Sequence, residues 1–259
     1  MKVLQLGGNG NLGSRVIPAL LAHGHRVIAY VRSPSKLRNI LPAAVIERIT
    51  IMQGDSLDTD AVADALRQND CDALVNTSGT RQPRGQEQNL GKIVASVTGA
   101  AIQVGKERGR PIRAWIIGGM SSLNYPGTSY QIQDYMPAWL IDHQRGVEAA
   151  VKDLSTADVQ WSLLCVAMMS PAHSEVEALV EPRKHNLLVQ SWNPPAWQDH
   201  WIRYMPFLGV YLNLVPAISS YTTRLEDVAD LIAEDLDKQK SEWVGEFVGF
   251  KAPKVEKSS

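Results

Sequence analysis

Cysteine is scarce in this chain: its 259 residues hold only Cys71 and Cys165. Neither stands in a local cysteine or histidine cluster, so the pattern of a zinc site is missing and no metal is expected. Both read as buried thiols of a reducing compartment. Charge of one sign is lacking too, because 26 basic residues face 27 acidic ones for a net charge of −1. With no basic run and no RNA-binding aromatic motif, nucleic acid is not an expected partner. No apolar run approaches the roughly 20 residues that span a bilayer, so no membrane partner is expected. The chain enters a strand almost at once, leaving no room for a signal or transit peptide, and the expected location is cytoplasmic. Internal repeats are absent, and an apolar content of 44% suffices for one large α/β domain over residues 1–259. The polar end, 251–259, reads as a frayed tail.

What is present is concentrated at the start. The apolar run Val3-Leu4-Gln5-Leu6 leads into Gly7-Gly8-Asn9-Gly10-Asn11-Leu12-Gly13 and then a helix-like segment. Gly7, Gly10 and Gly13 fall at three-residue intervals between strand and helix, the arrangement that turns backbone N–H groups and a helix N-terminus toward a pyrophosphate. Gly7 permits the tight turn, Gly10 the approach of phosphate and Gly13 the packing of helix on strand. A second strand, 26–31, delivers Arg32 to its carboxyl end, where a dinucleotide's adenosine ribose lies. A carboxylate there would bind a free 2′-hydroxyl, whereas a guanidinium pairs with a 2′-phosphate. Arg32 is followed by Ser33 and Lys36 with no carboxylate nearby, which favours NADP over NAD.

Short apolar runs alternate with helix-period segments through the first two thirds, as in a Rossmann-type, doubly wound parallel α/β sheet. The pattern predicts strands at 2–6, 26–31, 48–53, 72–77, 112–118 and 159–166, and helices at 12–23, 34–41, 59–69, 86–108 and 137–155. Ser33-Pro34 reads as an N-cap followed by proline at the first helical position, and Gly24 as the left-handed residue closing the first helix. Pro18 predicts a local bend in that helix. Beyond residue 170 periodicity dissolves into a proline-punctuated stretch with Trp192, Trp197, Trp201 and Phe207. This small C-terminal segment, 171–220, reads either as a substrate pocket or lid or as a satellite core or dimer contact. Order returns in an amphipathic helix from Leu225, with apolar positions at 225, 228, 229, 232 and 236, and a last strand at 245–250.

Several segments together resemble the atypical short-chain dehydrogenase/reductases, in their NmrA-like branch with biliverdin-reductase-B-like relatives. They are the glycine turn, Gly24 through Leu37, Gln53-Gly54-Asp55, Ile117-Gly118-Gly119-Met120-Ser121-Ser122-Leu123 and Thr223-Arg224-Leu225-Glu226-Asp227-Val228-Ala229. The resemblance implies that Gly7, Asn9, Gly10, Asn11, Leu12 and Gly13 hold the pyrophosphate and Arg32 and Lys36 the 2′-phosphate. It places Asp55 and Ser56 at the adenine edge, Asn76, Thr77 and Ser78 beside the nicotinamide ribose, and Val166, Ala167 and Met168 near the carboxamide. Asp55 has the alternative of merely capping its turn.

The catalytic centre departs from that pattern. Short-chain dehydrogenases use a Tyr-x-x-x-Lys pair, in which lysine lowers the tyrosine pKa for proton transfer, and no tyrosine here has a lysine four residues on. Trp139 takes the tyrosine-like place and His143 the lysine-like place. Trp139, a donor only, is expected to wall the pocket with Met168 and Met169. Ser121, with Ser122 as its rival, and His143 are the candidate catalytic groups; His143 alternatively reads as a surface histidine. Three functions stay open: an NADP(H)-dependent reductase of a small or mid-sized apolar substrate in specialised (secondary) metabolism; a cofactor-binding isomerase, dehydratase or cyclase with little net redox turnover; and an NADP(H)-sensing regulator. The chain is expected as a monomer or homodimer.

Overall fold

The computed structural model describes residues 1–79, 89–205 and 209–253, without the side chains of Trp139, Leu140, Asp142, His143, Arg145 and Val215. Its elements alternate as the sequence predicts: β1 Lys2–Leu6, α1 Gly13–Ala22, β2 Arg26–Val31, α2 Pro34–Ile40, α3 Ala43–Ile46, β3 Thr50–Gln53, α4 Thr59–Gln68 and β4 Ala73–Asn76. There follow α5 Leu90–Arg108, β5 Ile112–Gly119, α6 Ala138–Val151, β6 Val159–Val166, β7 Met168–Ser170, β8 Leu188–Ser191, α7 Gly209–Ser219, β9 Thr222–Arg224, α8 Leu225–Asp237 and β10 Glu246–Lys251.

Eight strands form one sheet in the order β3-β2-β1-β4-β5-β6-β10-β8. All neighbours pair in parallel except β8, which runs antiparallel to β10 at the edge. The central strands are buried on both faces, which is why they read as nearly continuous apolar runs. Alternate residues of β1 serve two layers: Leu4 and Leu6 pack toward α4, α5 and α6, while Val3 packs toward α1, α2 and α8. This is a Rossmann-like α/β fold. Chain order reverses between β1 and β4, opening a crevice at the carboxyl ends of those strands, the place where such sheets bind ligands.

Local chemistry sets the helix ends. Ser33 Oγ accepts from Lys36 N with Pro34 at the first helical position, Asp58 caps α4 through Ala61 N, and Gly24, at φ +78°, follows the last turn of α1. That helix is continuous across Pro18. Cys71 and Cys165 are free and buried; burial pushes the Cys71 thiol up to about 12, so neither is a ready nucleophile.

The stretch after residue 170 is more ordered than its sequence pattern. A short pair, β7 with β9, is anchored by Met169 opposite Thr223, β8 extends the main sheet, and α7 packs Leu214 into the core. β8 has four residues, too few to show a period. The α7 sequence, Gly-Val-Tyr-Leu-Asn-Leu-Val-Pro-Ala-Ile-Ser, is apolar on nearly every side and carries Pro216, so it shows no amphipathic stripe.

Candidate dinucleotide site

The crevice at the β1–β4 switch is a cleft of about 250 Å³ lined by Gly7, Asn9, Gly10, Tyr30, Val31, Arg32, Lys36, Ser56, Thr77, Ser78 and Gly79. A smaller hollow of about 70 Å³ continues from it between Asp55, Leu57, Asn89 and Ile93.

The glycine loop is shaped by contacts that forbid side chains. Gly7 sits at φ +85°, and a Cβ there would lie 2.5 Å from Ser78 N; a Cβ on Gly13 would lie 2.3 Å from Gly7 O and 2.6 Å from Thr77 Oγ1. α1 is thereby pressed against the ends of β1 and β4. Gly10 N donates to Gly7 O and Ser14 N to Gly10 O, both at 2.9 Å. Among the described residues, the amides of Asn11, Leu12 and Gly13 have no hydrogen-bond acceptor. Three unpaired donors at the positive end of a ten-residue helix make an anion seat.

Polar side chains fix the walls. Asn9 Nδ2 donates to Ser33 O at 3.0 Å, tying the loop to the start of α2. Its other amide atom, Oδ1, is buried without a partner; it fits a donor such as a ribose hydroxyl. Ser78 Oγ donates to Asn76 Oδ1 at 2.7 Å, so Ser56 is the donor in its 2.9 Å contact with Ser78 Oγ. Thr77 Oγ1 donates to Leu6 O at 2.7 Å and accepts from Gln5 Nε2 at 3.0 Å. Asp55 Oδ1 accepts from Leu57 N at 3.1 Å, so it caps its turn while also lining the smaller hollow. Burial, then the carboxylates of Asp58 and Asp55, push the Tyr30 phenol up, and it stays protonated at neutral pH.

Arg32 and Lys36 stand exposed on the cleft rim. Among the described residues, neither guanidinium nor ammonium is engaged in an ion pair. By contrast Arg15 of α1 is committed: its Nε meets Glu226 Oε1 at 2.6 Å and its Nη1 donates to Asn11 O at 3.0 Å, bracing the loop from behind. Sequence reasoning missed Arg15 and Gln5. Gln5 left a signal, a lone polar residue inside an apolar central strand.

Other expected site residues lie outside this cleft. Ser121, buried in the turn after β5, donates to Gln144 Oε1 of α6; Gln144, adjacent in sequence to His143, was not anticipated. The side chains of Trp139 and His143, and Phe207 entirely, lie outside the described residues. Val166 ends β6 and Ala167 follows it, both half-buried; Met168 is exposed and Met169 half-buried on β7. Trp192, at φ +60°, packs on Phe247 with centroids 4.4 Å apart. Trp197 meets Tyr125 edge-on and donates from Nε1 to Asp199 Oδ1 at 2.9 Å. Trp201 is 68% exposed. The described tryptophan rings of this segment therefore pack on the sheet edge and α7 side or face solvent, apart from the nucleotide cleft.

Comparison with known proteins agrees with this geometry. The NAD(P)H-binding family model matches residues 7–186. A UDP-glucose 4-epimerase from Neisseria meningitidis serogroup C is 23% identical over 188 residues, 69% of this chain and 56% of that protein; the chain spans about half the length of the curated relatives it matches. Among solved structures, a short-chain dehydrogenase/reductase from Veillonella parvula DSM 2008 in complex with NADP superposes with a TM-score of 0.60 at 13% identity, over 97% of this chain and 94% of that one. The anaerobillin reductase ChuY of Escherichia coli O157:H7 gives 0.61 at 15% identity, over 99% of each. These structures share the fold. With more than half of its length matched by that model, the chain belongs to the NAD(P)H-binding family, on the atypical short-chain dehydrogenase/reductase pattern that its sequence resembles.

Proposed function

We propose that the protein is an NADP(H)-dependent reductase of a small or mid-sized apolar substrate. The observation that carries the reading is the pair Arg32 and Lys36 on the rim of the glycine-loop cleft, free of ion pairs among the described residues. A guanidinium and an ammonium there suit a 2′-phosphate, and the loop amides suit the diphosphate. When bound, the nicotinamide supplies or takes a hydride. The chain's own part is to hold the diphosphate on the amides of Asn11 to Gly13, to offer Asn9 Oδ1 to a hydroxyl, and to keep the Ser56–Ser78–Asn76 relay in place. With no Tyr-x-x-x-Lys pair, catalysis rests on positioning more than on a strong protein acid. Ser121, which donates to Gln144, is the polar group we assign to the substrate side, with His143 next to Gln144 in sequence. Residues 171–220 form the variable segment of one domain.

The test is a titration of the protein with NADPH and with NADH, read by energy transfer from its tryptophans. Micromolar NADPH binding with at least about tenfold weaker NADH binding, roughly 1.4 kcal/mol, is expected; equal affinities or no binding would remove the assignment.

The match to UDP-glucose 4-epimerases favours a second reading, in which the bound dinucleotide is regenerated within each turnover. Stoichiometry decides between them: net NADPH loss equal to product supports reduction, and product without net loss supports the isomerase-like reading.

A further inference from the structure

Among the described residues, a grouping of ligating side chains away from the glycine-loop cleft lies on α8, where the irregular strap of residues 171–187 crosses it. Asp230 and Glu234 stand one turn apart, at i and i+4, on one face of α8. His185, near the end of the strap, reaches both. Its Nε2 lies 3.1 Å from Glu234 Oε2, and its backbone N–H donates to Asp230 Oδ2 at 3.1 Å. Ligand atoms of the three residues all lie within 4.8 Å of one another.

The surroundings are electronegative. His23, at the end of α1, places Nε2 2.9 Å from Asp230 Oδ1 and Nδ1 2.6 Å from Asp237 Oδ2. Both ring nitrogens of His23 thus face carboxylates. His25, beside it, faces Asp237 Oδ1 at 3.2 Å and the N-terminal ammonium of Met1 at 3.1 Å. Three carboxylates, those of Asp230, Glu234 and Asp237, thus gather here, and Asp230 is 1% exposed. Burying an incompletely balanced carboxylate is costly unless a cation answers it.

We propose that His185, Asp230 and Glu234 bind one divalent transition-metal ion, with zinc as its probe, and that the ion staples the strap to α8. One imidazole nitrogen and two carboxylate oxygens, completed by water, make a donor set that such ions accept. Coordination through Nε2 requires the ring proton on Nδ1, so the 3.3 Å contact from Leu187 N to Nδ1 lapses on binding. His23 stays in place as the hydrogen-bond partner that orients Asp230. The far end of the strap is already fixed: Arg15 Nη2 donates to His173 O and Ala172 N to Glu226 Oε2, each at 2.8 Å. The sequence did not show this site because His185 and Asp230 are 45 residues apart, with β8, α7 and β9 between them. None of the three lines the nucleotide cleft, so the site stands or falls independently of the proposed reaction.

The experiment uses the full chain without a polyhistidine tag, stripped by chelator and titrated calorimetrically with zinc chloride. One equivalent is expected to bind at about 10 µM or tighter, with His185→Ala and Glu234→Gln each weakening it at least about tenfold. Zinc should also slow limited proteolysis within 171–187 in the parent and in neither variant. Circular dichroism of the metal-free variants controls for folding; should His185→Ala not fold, Glu234→Gln, at a half-exposed position, carries the test. Absence of saturable binding below about 100 µM zinc, or binding that the folded variants retain, would overturn the proposal.

Discussion

Single residues decide the nucleotide site because the loop leaves no spare volume. A Cβ at Gly13 would overlap Gly7 O, a backbone atom, and Thr77 Oγ1, a hydroxyl held in place by Leu6 O and Gln5 Nε2. Gly13→Ala is therefore expected to weaken NADPH binding at least about tenfold, measured by the same tryptophan titration, while circular dichroism stays close to the parent spectrum. The glycine spacing was readable from sequence because the motif itself is local, complete within Gly7 to Gly13. Gln5 and Gln144 were not, since each acts on a partner far along the chain: Gln5 on Thr77 and Gln144 on Ser121. Asp55 shows how one side chain serves two readings, capping its turn and lining the hollow.

At the scale of elements, α8 is held to its neighbours by charge as well as by apolar packing. Arg113 of β5 and Asp235 of α8 form a buried pair at 2.7 Å, and Trp115 Nε1 donates to the same carboxylate at 2.9 Å. Removing one partner of such a pair leaves a buried charge unanswered, so Asp235→Ala is expected to cost about 3–5 kcal/mol in urea denaturation. His23 joins α1 to α8 with a sign that depends on pH. Burial lowers its pKa, but Asp230 and Asp237 together raise it above the ordinary histidine value. A group raised on folding contributes most below its unfolded pKa and loses the contribution as pH rises through its folded pKa. The stability gap between the parent and His23→Gln should therefore shrink from about pH 5.5 to about pH 8.5; a gap that widens over that range would contradict the assignment. Strand positions through β6 were legible because a sheet covered on both faces needs unbroken apolar runs. β8 and α7 were illegible for the opposite reason: one is too short and the other too uniformly apolar for a period to show.

For the whole molecule, the strand order creates the site. Reversal between β1 and β4 opens the cleft, β2 carries Arg32 to its rim, and α2 adds Lys36 one turn later. The order of elements was legible in the sequence, and with it the place of the cleft. The arrangement of the aromatic stretch was not, because its partners, Tyr125, Tyr221 and Phe247, come from three separate parts of the chain. No helix among the described residues is long and apolar enough to cross a membrane.

The proposed reading of the 2′-phosphate of NADP(H) by Arg32 and Lys36 is tested by comparing NADPH and NADH affinities of the parent with those of an Arg32→Ala/Lys36→Ala double variant in one buffer at one ionic strength. The parent should prefer NADPH by at least about tenfold, a preference that collapses to within about twofold in the variant while NADH affinity is unchanged. A parent that binds NADH as tightly as NADPH, or a variant that keeps the preference, would contradict it.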